Sequence, residues 1–295
     1  MKANPWWVHP ALLITGLLYG ANYSVAKSVM PEPVSPFAFI LVRVLFATAV
    51  FWLIHPLFTN ERIESRKDFV RLVACGFFGA AINMLMFFQG LSMTSPVNGA
   101  LIMTLTPVVV VTMSYFLLKE RITRRKALGL AFGLCGAVFL VGLHEFSFSN
   151  SFLLGDLLVI GNAISYAIYL VLVKRLMARY HPLTVVKWTF LFGLIFVAPF
   201  SIHEAVAIPF GDLSGAQWLS IGYVLLGTTV IAYIANVSAL KYVNSSVVGY
   251  YIFLQPLFAT LIEVVSGREL PTIGKVISAA LIFLGVYLVS VKRGN

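Results

Sequence analysis

Amide and aromatic side chains recur inside otherwise apolar stretches of this 295-residue sequence, where polar groups are costly unless they face a protein interior. Five stretches contribute them: Tyr19, Asn22 and Tyr23; Asn83, Phe87 and Gln89; Asn162, Tyr166 and Tyr169; Tyr233 and Asn236; and Tyr251 and Gln255. Neutral donors, acceptors and aromatic faces in this combination suit a small amphipathic zwitterion. Any one of them could instead bond a neighbouring helix, at about 0.6 kcal/mol. As a set, they predict a binding cavity.

Two ionisable residues lie in the same apolar stretches. Arg43 could attract a carboxylate that enters the cavity, or it could hold its own helix by bonding polar groups nearby. We favour the second role, because an interior charge usually needs a fixed partner. Glu263 could carry a proton, but we favour a position at the outer interface. The sequence contains no HExxH, GxSxG or phosphate-loop pattern, so it predicts neither an enzyme nor a site for a metal or cofactor.

The composition indicates the elements that must position these residues. The chain is 60% hydrophobic and 11% charged, with a mean hydropathy of +0.93, and a soluble domain carries roughly 25% charged residues. A membrane-spanning helix needs about 20 largely apolar residues. Ten runs meet this need: 10–26, 34–54, 72–94, 97–118, 127–143, 155–173, 183–202, 216–240, 246–266 and 273–291. We therefore expect an all-α membrane protein with ten transmembrane helices.

The distribution of cations predicts an orientation. With a cytoplasmic N-terminus and ten spans, seventeen of the 21 Lys and Arg residues fall inside, three fall outside, and Arg43 lies within a span. Cytoplasmic loops of membrane proteins carry such an excess of Lys and Arg. Both termini are therefore expected in the cytoplasm. The net charge of +10 thus marks orientation and does not predict nucleic-acid binding.

The sequence also repeats itself. Residues 90–141 align without a gap to 239–290, so that "LTPVVVVTMSYFLLKE" (105–120) matches "LQPLFATLIEVVSGRE" (254–269). The "SPFAF" before the second run similarly resembles the "HPLTV" before the seventh. These matches predict two five-helix repeats, residues 1–144 and 151–295. Because five is odd, the second repeat should cross the membrane in the opposite sense. Inverted repeats of this kind are typical of secondary transporters.

Two local features recur on the predicted helices. Pro107 and Pro256 occupy matched positions of the repeat, and a proline removes an intrahelical hydrogen bond. They could loosen the inner and outer gates of a transporter, or they could be static kinks that only shape the cavity. Gly129 and Gly133 have the GxxxG spacing of a close-packed helix face. This face could join the fourth helix or mediate a homodimer.

The chain resembles the drug/metabolite transporter superfamily in its ten-helix EamA-type form. The resemblance covers essentially the whole chain and rests on "LLYGANYSVAK", on Arg43, and on "TPVVVVTMSYFLLKER" with its echo "QPLFATLIEVVSGREL". Within the superfamily the sequence is most similar to bacterial exporters of amino acids, including aromatic ones, and of related metabolites. The resemblance implies efflux across the inner membrane through a cavity between the repeats.

Three other functions are compatible with parts of the pattern. A multidrug carrier for cations would need a carboxylate at mid-membrane depth, and the first and sixth helices have none there. A nucleotide-sugar carrier would need several cations in the cavity. A signalling or scaffold protein would have no reason to direct amides and tyrosines towards the midplane. We therefore expect export of amino acids or similar small molecules, with energy coupling left open.

Overall fold

The computed structural model describes residues 5–94, 96–141, 153–267, 270 and 272–290, with the backbone alone at 96, 97 and 141. Throughout these residues the regular structure is helical, and they include no β-strand. The expected boundary between the repeats, at 144–151, lies outside the described residues. So do several residues of the repeat and charge patterns: Lys2, Arg268, Glu269, Lys292 and Arg293.

Fourteen α-helices are found among the described residues, and three short segments with other helical geometry interrupt them. In the first half they are α1 (Val8–Lys27), α2 (Pro36–Phe58), α3 (Arg66–Cys75), α4 (Ile82–Met93), α5 (Pro96–Met103), α6 (Thr106–Leu118) and α7 (Arg124–Val141). In the second half they are α8 (Leu153–Leu176), α9 (Pro182–Val206), α10 (Gly215–Tyr223), α11 (Ala232–Leu240), α12 (Ser245–Tyr250), α13 (Leu254–Val265) and α14 (Ile273–Ser290). Each of the ten predicted runs falls on this helical structure.

Eight helical segments of the described chain are long and apolar enough to cross a membrane. They are Pro36–Phe58, Arg66–Met93, Asn98–Leu118, Leu153–Leu176, Pro182–Val206, Gly215–Leu240, Ser245–Val265 and Ile273–Ser290. The helix α7 misses this criterion because it opens with Arg124, Arg125 and Lys126, and α1 misses it because Gly, Asn and Tyr dilute its apolar residues. The expected class, an all-α membrane protein, is confirmed.

The equivalent helices α2 and α9 of the two predicted repeats begin with similar caps. Ser35 precedes Pro36 at the start of α2, and its Oγ accepts a hydrogen bond from the Ala38 backbone N–H at 3.2 Å. His181 precedes Pro182 at the start of α9, and its Nδ1 accepts from the Leu183 N–H at 3.3 Å. Proline suits the first helical position because its missing N–H has no partner there.

The two prolines of the repeat each follow a break in a helix. Residues 104–105 form a turn between α5 and α6, and Pro107 lies in the first turn of α6. A 3-10 turn, Tyr251–Phe253, separates α12 from α13, and Pro256 lies in the first turn of α13. Because a proline cannot donate to the carbonyl four residues earlier, the chain loosens just before it. The sequence predicts single helices over 97–118 and 246–266, whereas the structure divides each of them shortly before its proline.

Two π-helical turns interrupt helices, one in each half of the chain. Gly76–Ala81 joins α3 to α4, and Val224–Ile231 joins α10 to α11. A π-helical turn leaves backbone groups without their usual helical partners and is frequent at functional sites. The two turns occupy equivalent positions at the 149-residue shift of the sequence repeat. The four helices interrupted by turns or breaks thus form two matched pairs.

The GxxxG face of α7 packs within the chain, against α14. A Cβ added to Gly129 would lie 2.8 Å from the carbonyl oxygen of Gly285, and one added to Gly133 would lie 2.5 Å from the Phe253 ring. Only glycine allows backbones to approach so closely. The structure therefore places this face against α14 and not against the fourth helix, and the homodimer stays a prediction.

Candidate functional site

A cavity of about 560 Å³, a volume that includes its opening to solvent, lies between the helices. Its walls combine aromatic, amide and apolar side chains with one guanidinium. The lining residues are Tyr19, Asn22, Tyr23, Arg43, Asn83, Met84, Phe87, Phe88, Met103, Asn162, Tyr166, Tyr233, Ile252 and Gln255. Binding sites for small molecules are mostly apolar with a few placed polar groups. The lining of this cavity has the character of such a site.

A smaller space of about 230 Å³ continues from the first. It shares four lining residues with the larger cavity, and Leu12, Thr15, Gly16, Asn236, Val248 and Tyr251 complete its wall. The shared residues are Tyr19, Tyr166, Ile252 and Gln255. The two spaces therefore adjoin each other.

The structure brings together most of the residues that the sequence selected. Nine of them line the larger cavity: Tyr19, Asn22, Tyr23, Asn83, Phe87, Asn162, Tyr166, Tyr233 and Gln255. Asn236 and Tyr251 line the smaller one. Gln89 and Tyr169 line neither: Gln89 donates to the sulfur of Met93, one turn along α4, at 3.5 Å. The ring of Tyr169 is buried against Gly79 of the first π-helical turn, and its hydroxyl has no hydrogen-bond partner among the described residues.

Hydrogen bonds between helices fix the cavity side chains. The Tyr23 hydroxyl donates to Gln255 Oε1 at 3.2 Å, which links α1 to α13. The Tyr233 hydroxyl donates to the backbone carbonyl of Gly79 at 2.7 Å, which links α11 to the first π-helical turn. Asn236 Nδ2 donates to the Tyr166 hydroxyl at 3.3 Å. The first two bonds join the two halves of the chain, and the third joins α11 to α8 within the second half. Together they cross-link the cavity wall.

Arg43 is the only charged residue among the described residues that line either space. Its side chain is 3% exposed; Nε donates to Thr229 Oγ1 at 2.9 Å and Nη2 to Thr228 Oγ1 at 3.3 Å. The guanidinium carbon lies 4.5 Å from the centre of the Phe88 ring. Within the described chain no carboxylate oxygen lies within 4.0 Å of it. Two of its five N–H donors are used, so the others remain for a further acceptor.

Asn83 and Asn162 tie α4 to α8 across the cavity wall. Asn162 Nδ2 donates to the backbone carbonyl of Asn83 at 2.8 Å, and Asn83 Nδ2 donates to the backbone carbonyl of Asn162 at 3.4 Å. This reciprocal pairing holds both amides in a fixed orientation. Asn83 is the second residue after the first π-helical turn ends.

Glu263 lies away from the cavity, near the C-terminal end of α13. Ser24 of α1 donates to its Oε1 at 3.3 Å in an exposed contact. Tyr251, which lines the smaller space, shares a 2.7 Å hydrogen bond with His9 Nδ1. Glu263 lines neither space.

Four residues that line the larger cavity were not selected from the sequence: Met84, Phe88, Met103 and Ile252. They are apolar, and an apolar residue in a membrane helix carries no signal that separates a cavity wall from a lipid-facing surface. Met103 and Ile252 did carry a positional signal. Each lies four residues before a proline of the repeat, at the carbonyl that the proline leaves without its helical partner.

A membrane protein whose interrupted helices surround a central cavity has the general construction of a secondary transporter. The sequence profile of the EamA-like transporter family matches this chain twice, over residues 6–142 and 153–291. The chain belongs to the EamA-like transporter family. The resemblance inferred from the sequence is confirmed.

Relatives of the chain are named as transporters. An uncharacterized transporter of Bacillus subtilis, YyaM, is 28% identical over 287 residues, which is 96% of this chain and 93% of the relative. An uncharacterized transporter of Archaeoglobus fulgidus is 27% identical over 97% of this chain and 98% of its own length. The aromatic amino acid exporter YddG of Ancylobacter novellus is 28% identical over 201 residues, 68% of each chain.

A protein of known crystal structure has the same fold. It superimposes with a TM-score of 0.77 at 22% sequence identity and covers 96% of each chain. At this identity the likeness concerns the fold alone.

Proposed function

We propose that this transporter exports amino acids and related small amphipathic metabolites across the bacterial inner membrane. The observation that carries the proposal is the buried Arg43 guanidinium, which lines the central cavity with no carboxylate of the described chain beside it. A buried charge without an opposite partner is costly, by several kcal/mol. A carboxylate on the transported molecule would supply that partner through charge-assisted hydrogen bonds.

The rest of the cavity wall suits an amino acid with an apolar or aromatic side chain. Phe87 and Phe88 provide ring faces, and Asn22 and Gln255 provide amide groups beside them. The same wall disfavours a cationic drug, because its one charged group among the described residues would repel it. The aromatic amino acid exporter YddG, 28% identical over 68% of this chain, is consistent with this substrate class.

Matched structural features support a ten-helix arrangement of two inverted five-helix repeats, residues 1–144 and 151–295. The breaks before Pro107 and Pro256 fall at equivalent positions, as do the two π-helical turns. The family profile also matches each half separately. Alternating access would follow if the two halves opened the cavity to opposite faces in turn. The positive-inside excess supports cytoplasmic termini.

Flux into proteoliposomes tests the proposal. Proteoliposomes that contain the purified protein are given a panel of radiolabelled amino acids, with and without a pH gradient. Protein-free liposomes are the control. We expect saturable flux of at least one apolar or aromatic amino acid. Four alanine substitutions at cavity residues should each impair that flux while the protein still folds: Asn22→Ala, Tyr166→Ala, Tyr233→Ala and Asn236→Ala.

A control substitution is available on the outer surface. Tyr287→Ala removes a tyrosine that is 63% exposed on α14, so flux should stay at the wild-type rate. Protein that carries none of the panel would contradict amino-acid export. Normal flux in all four cavity variants, at equal amounts of folded protein, would move the binding site elsewhere.

A further inference from the structure

Asn162 of α8 carries an acceptor that the protein itself leaves unused. The side chain is 2% exposed and lines the larger cavity. Its Nδ2 donates to the Asn83 carbonyl at 2.8 Å, and this bond determines which end of the amide is the free one. The carbonyl oxygen Oδ1 is buried and has no hydrogen-bond partner among the described residues.

A buried acceptor without a partner in the protein indicates a hydrogen-bond donor from outside the chain. The large majority of buried polar atoms in proteins are hydrogen-bonded, and each exception needs an explanation. Gln255 Oε1, another amide oxygen of the cavity, already accepts from Tyr23. Among the amide oxygens of the cavity wall in the described chain, Asn162 Oδ1 is the one that is both buried and without a partner. It is therefore a candidate acceptor for a donor that enters the cavity.

The charge of the wall indicates which donor that is. No carboxylate lines the cavity within the described residues, so a positively charged group of the substrate must rely on neutral acceptors and ring faces. An ammonium group carries three donors and no acceptor. Tyr166, one turn along α8 from Asn162, adds an aromatic ring to the same wall, and ring faces attract cations.

We propose that Asn162 Oδ1 accepts a hydrogen bond from the α-ammonium group of the substrate and so selects amino acids over carboxylic acids that lack it. Arg43 would take the carboxylate, and Asn162 the ammonium. This assignment rests on the proposed export of amino acids, and it adds a specificity-determining residue to the same cavity.

The test compares two ligands that differ only in the ammonium group, L-phenylalanine and 3-phenylpropionate. Their dissociation constants are measured by titration calorimetry for the purified full-length protein in detergent. Asn162→Leu should weaken binding of phenylalanine about tenfold or more, the range for a hydrogen bond to a charged group. It should leave 3-phenylpropionate within about twofold, because that ligand has no donor for Oδ1.

Two further variants separate specificity from folding. Asn162→Asp keeps the acceptor and loses Nδ2, so the preference for phenylalanine over 3-phenylpropionate should persist or increase. Ser165→Ala removes a comparable bond of α8, from Ser165 Oγ to the Phe78 carbonyl at 2.7 Å, outside the cavity wall. It should leave the ratio of the two dissociation constants unchanged.

Each remaining outcome has a defined meaning. Equal weakening of both ligands by Asn162→Leu, or no weakening of either, overturns the role of Asn162 and leaves amino-acid export standing. If the leucine variant does not fold, loss of the preference in Asn162→Asp overturns it instead. Wild-type protein that binds neither phenylalanine nor any other amino acid contradicts the export proposal, and the assignment of Asn162 then falls with it.

Discussion

Replacing Arg43 by glutamine separates the two roles that the sequence left open for this residue. Glutamine is neutral, reaches nearly as far, and can keep one hydrogen bond to a threonine. In the structure Arg43 donates to Thr229 at 2.9 Å and to Thr228 at 3.3 Å, and stacks over Phe88 at 4.5 Å. If Arg43 mainly holds α2 in place, its removal should unfold the protein. If it mainly binds substrate, removal should abolish binding first.

The magnitudes favour an effect on binding. Because glutamine can keep one of the two hydrogen bonds, losing the other costs about 1.5–3 kcal/mol, and losing the ring contact costs about 1–2 kcal/mol. Against this, glutamine removes the burial of an unpaired ion, which is unfavourable by several kcal/mol. These contributions oppose each other, so we expect stability to change by less than about 2 kcal/mol. Removing one partner of a buried charged pair costs about 2–5 kcal/mol, so carboxylate binding should weaken at least about 30-fold.

The assay measures thermal unfolding and substrate binding on the same purified preparations. Phenylalanine and its decarboxylated analogue phenethylamine are the ligands, because Arg43→Gln should weaken only the first. Arg175→Gln is the matched control, since Arg175 is exposed and bonds the Leu117 carbonyl far from the cavity. The reasoning would be refuted by a variant that binds phenylalanine normally yet unfolds at a much lower temperature than the wild type.

Three further predictions concern topology, gating and packing. Reporters active only in the periplasm should be silent at the C-terminus and active within 142–152; the reverse would contradict inverted repeats. Pro107→Ala and Pro256→Ala should each slow flux and change the accessibility of cysteine thiols introduced beyond the break, on opposite faces of the membrane. Unchanged flux and accessibility would make both prolines static kinks. Gly285→Ala puts a Cβ 2.7 Å from the Gly129 carbonyl and should destabilise the protein by about 1–3 kcal/mol in thermal unfolding, whereas Gly215→Ala, with nothing within 4 Å, should not.

The sequence was sufficient to locate the helices, because lipid imposes a strong rule. Backbone groups in a bilayer must be satisfied within the chain, so each long apolar run has to be helical. The rule does not say where a helix is interrupted. "GFFGAA" (76–81) and "VLLGTTVI" (224–231) form π-helical turns, yet neither contains a proline or any other residue that requires one. In the second turn, Thr228 and Thr229 accept hydrogen bonds from Arg43 of α2, a tertiary contact that the local sequence does not reveal.

Polar residues in apolar runs identified the cavity wall for a related reason, and the two exceptions are instructive. An α-helix turns once in 3.6 residues, so Gln89 lies about 200° around α4 from Phe87 and points to another face. Helical spacing therefore argued against Gln89 from the start. Tyr169 does lie close to the face of Tyr166, but Gly79 leaves room for its ring between α8 and the first π-helical turn. A pocket made by an absent side chain on a different helix cannot be read from the spacing on α8.

The GxxxG face of α7 was recognised as a close-packing surface, but its partner was not. The property belongs to the one helix, whereas the choice of partner depends on which neighbour presents another small residue at the same level. Gly285 does so on α14. It is the repeat equivalent of Gly136, so the internal alignment contained this information.

The two halves of the chain share the helix breaks around the cavity more closely than they share the side chains that line it. Tyr19 and Tyr166 are equivalent at a shift of 147 residues, and both line the cavity. Arg43 has no cationic equivalent: the shift that relates Pro36 to Pro182 brings it to Thr189. Matched breaks allow two halves to open in mirrored ways, but a single guanidinium provides one anchor. Under the proposed alternating access, the carboxylate must then stay on Arg43 while the path to the cavity changes sides, because a substrate handed from one half to the other would need a cation on each.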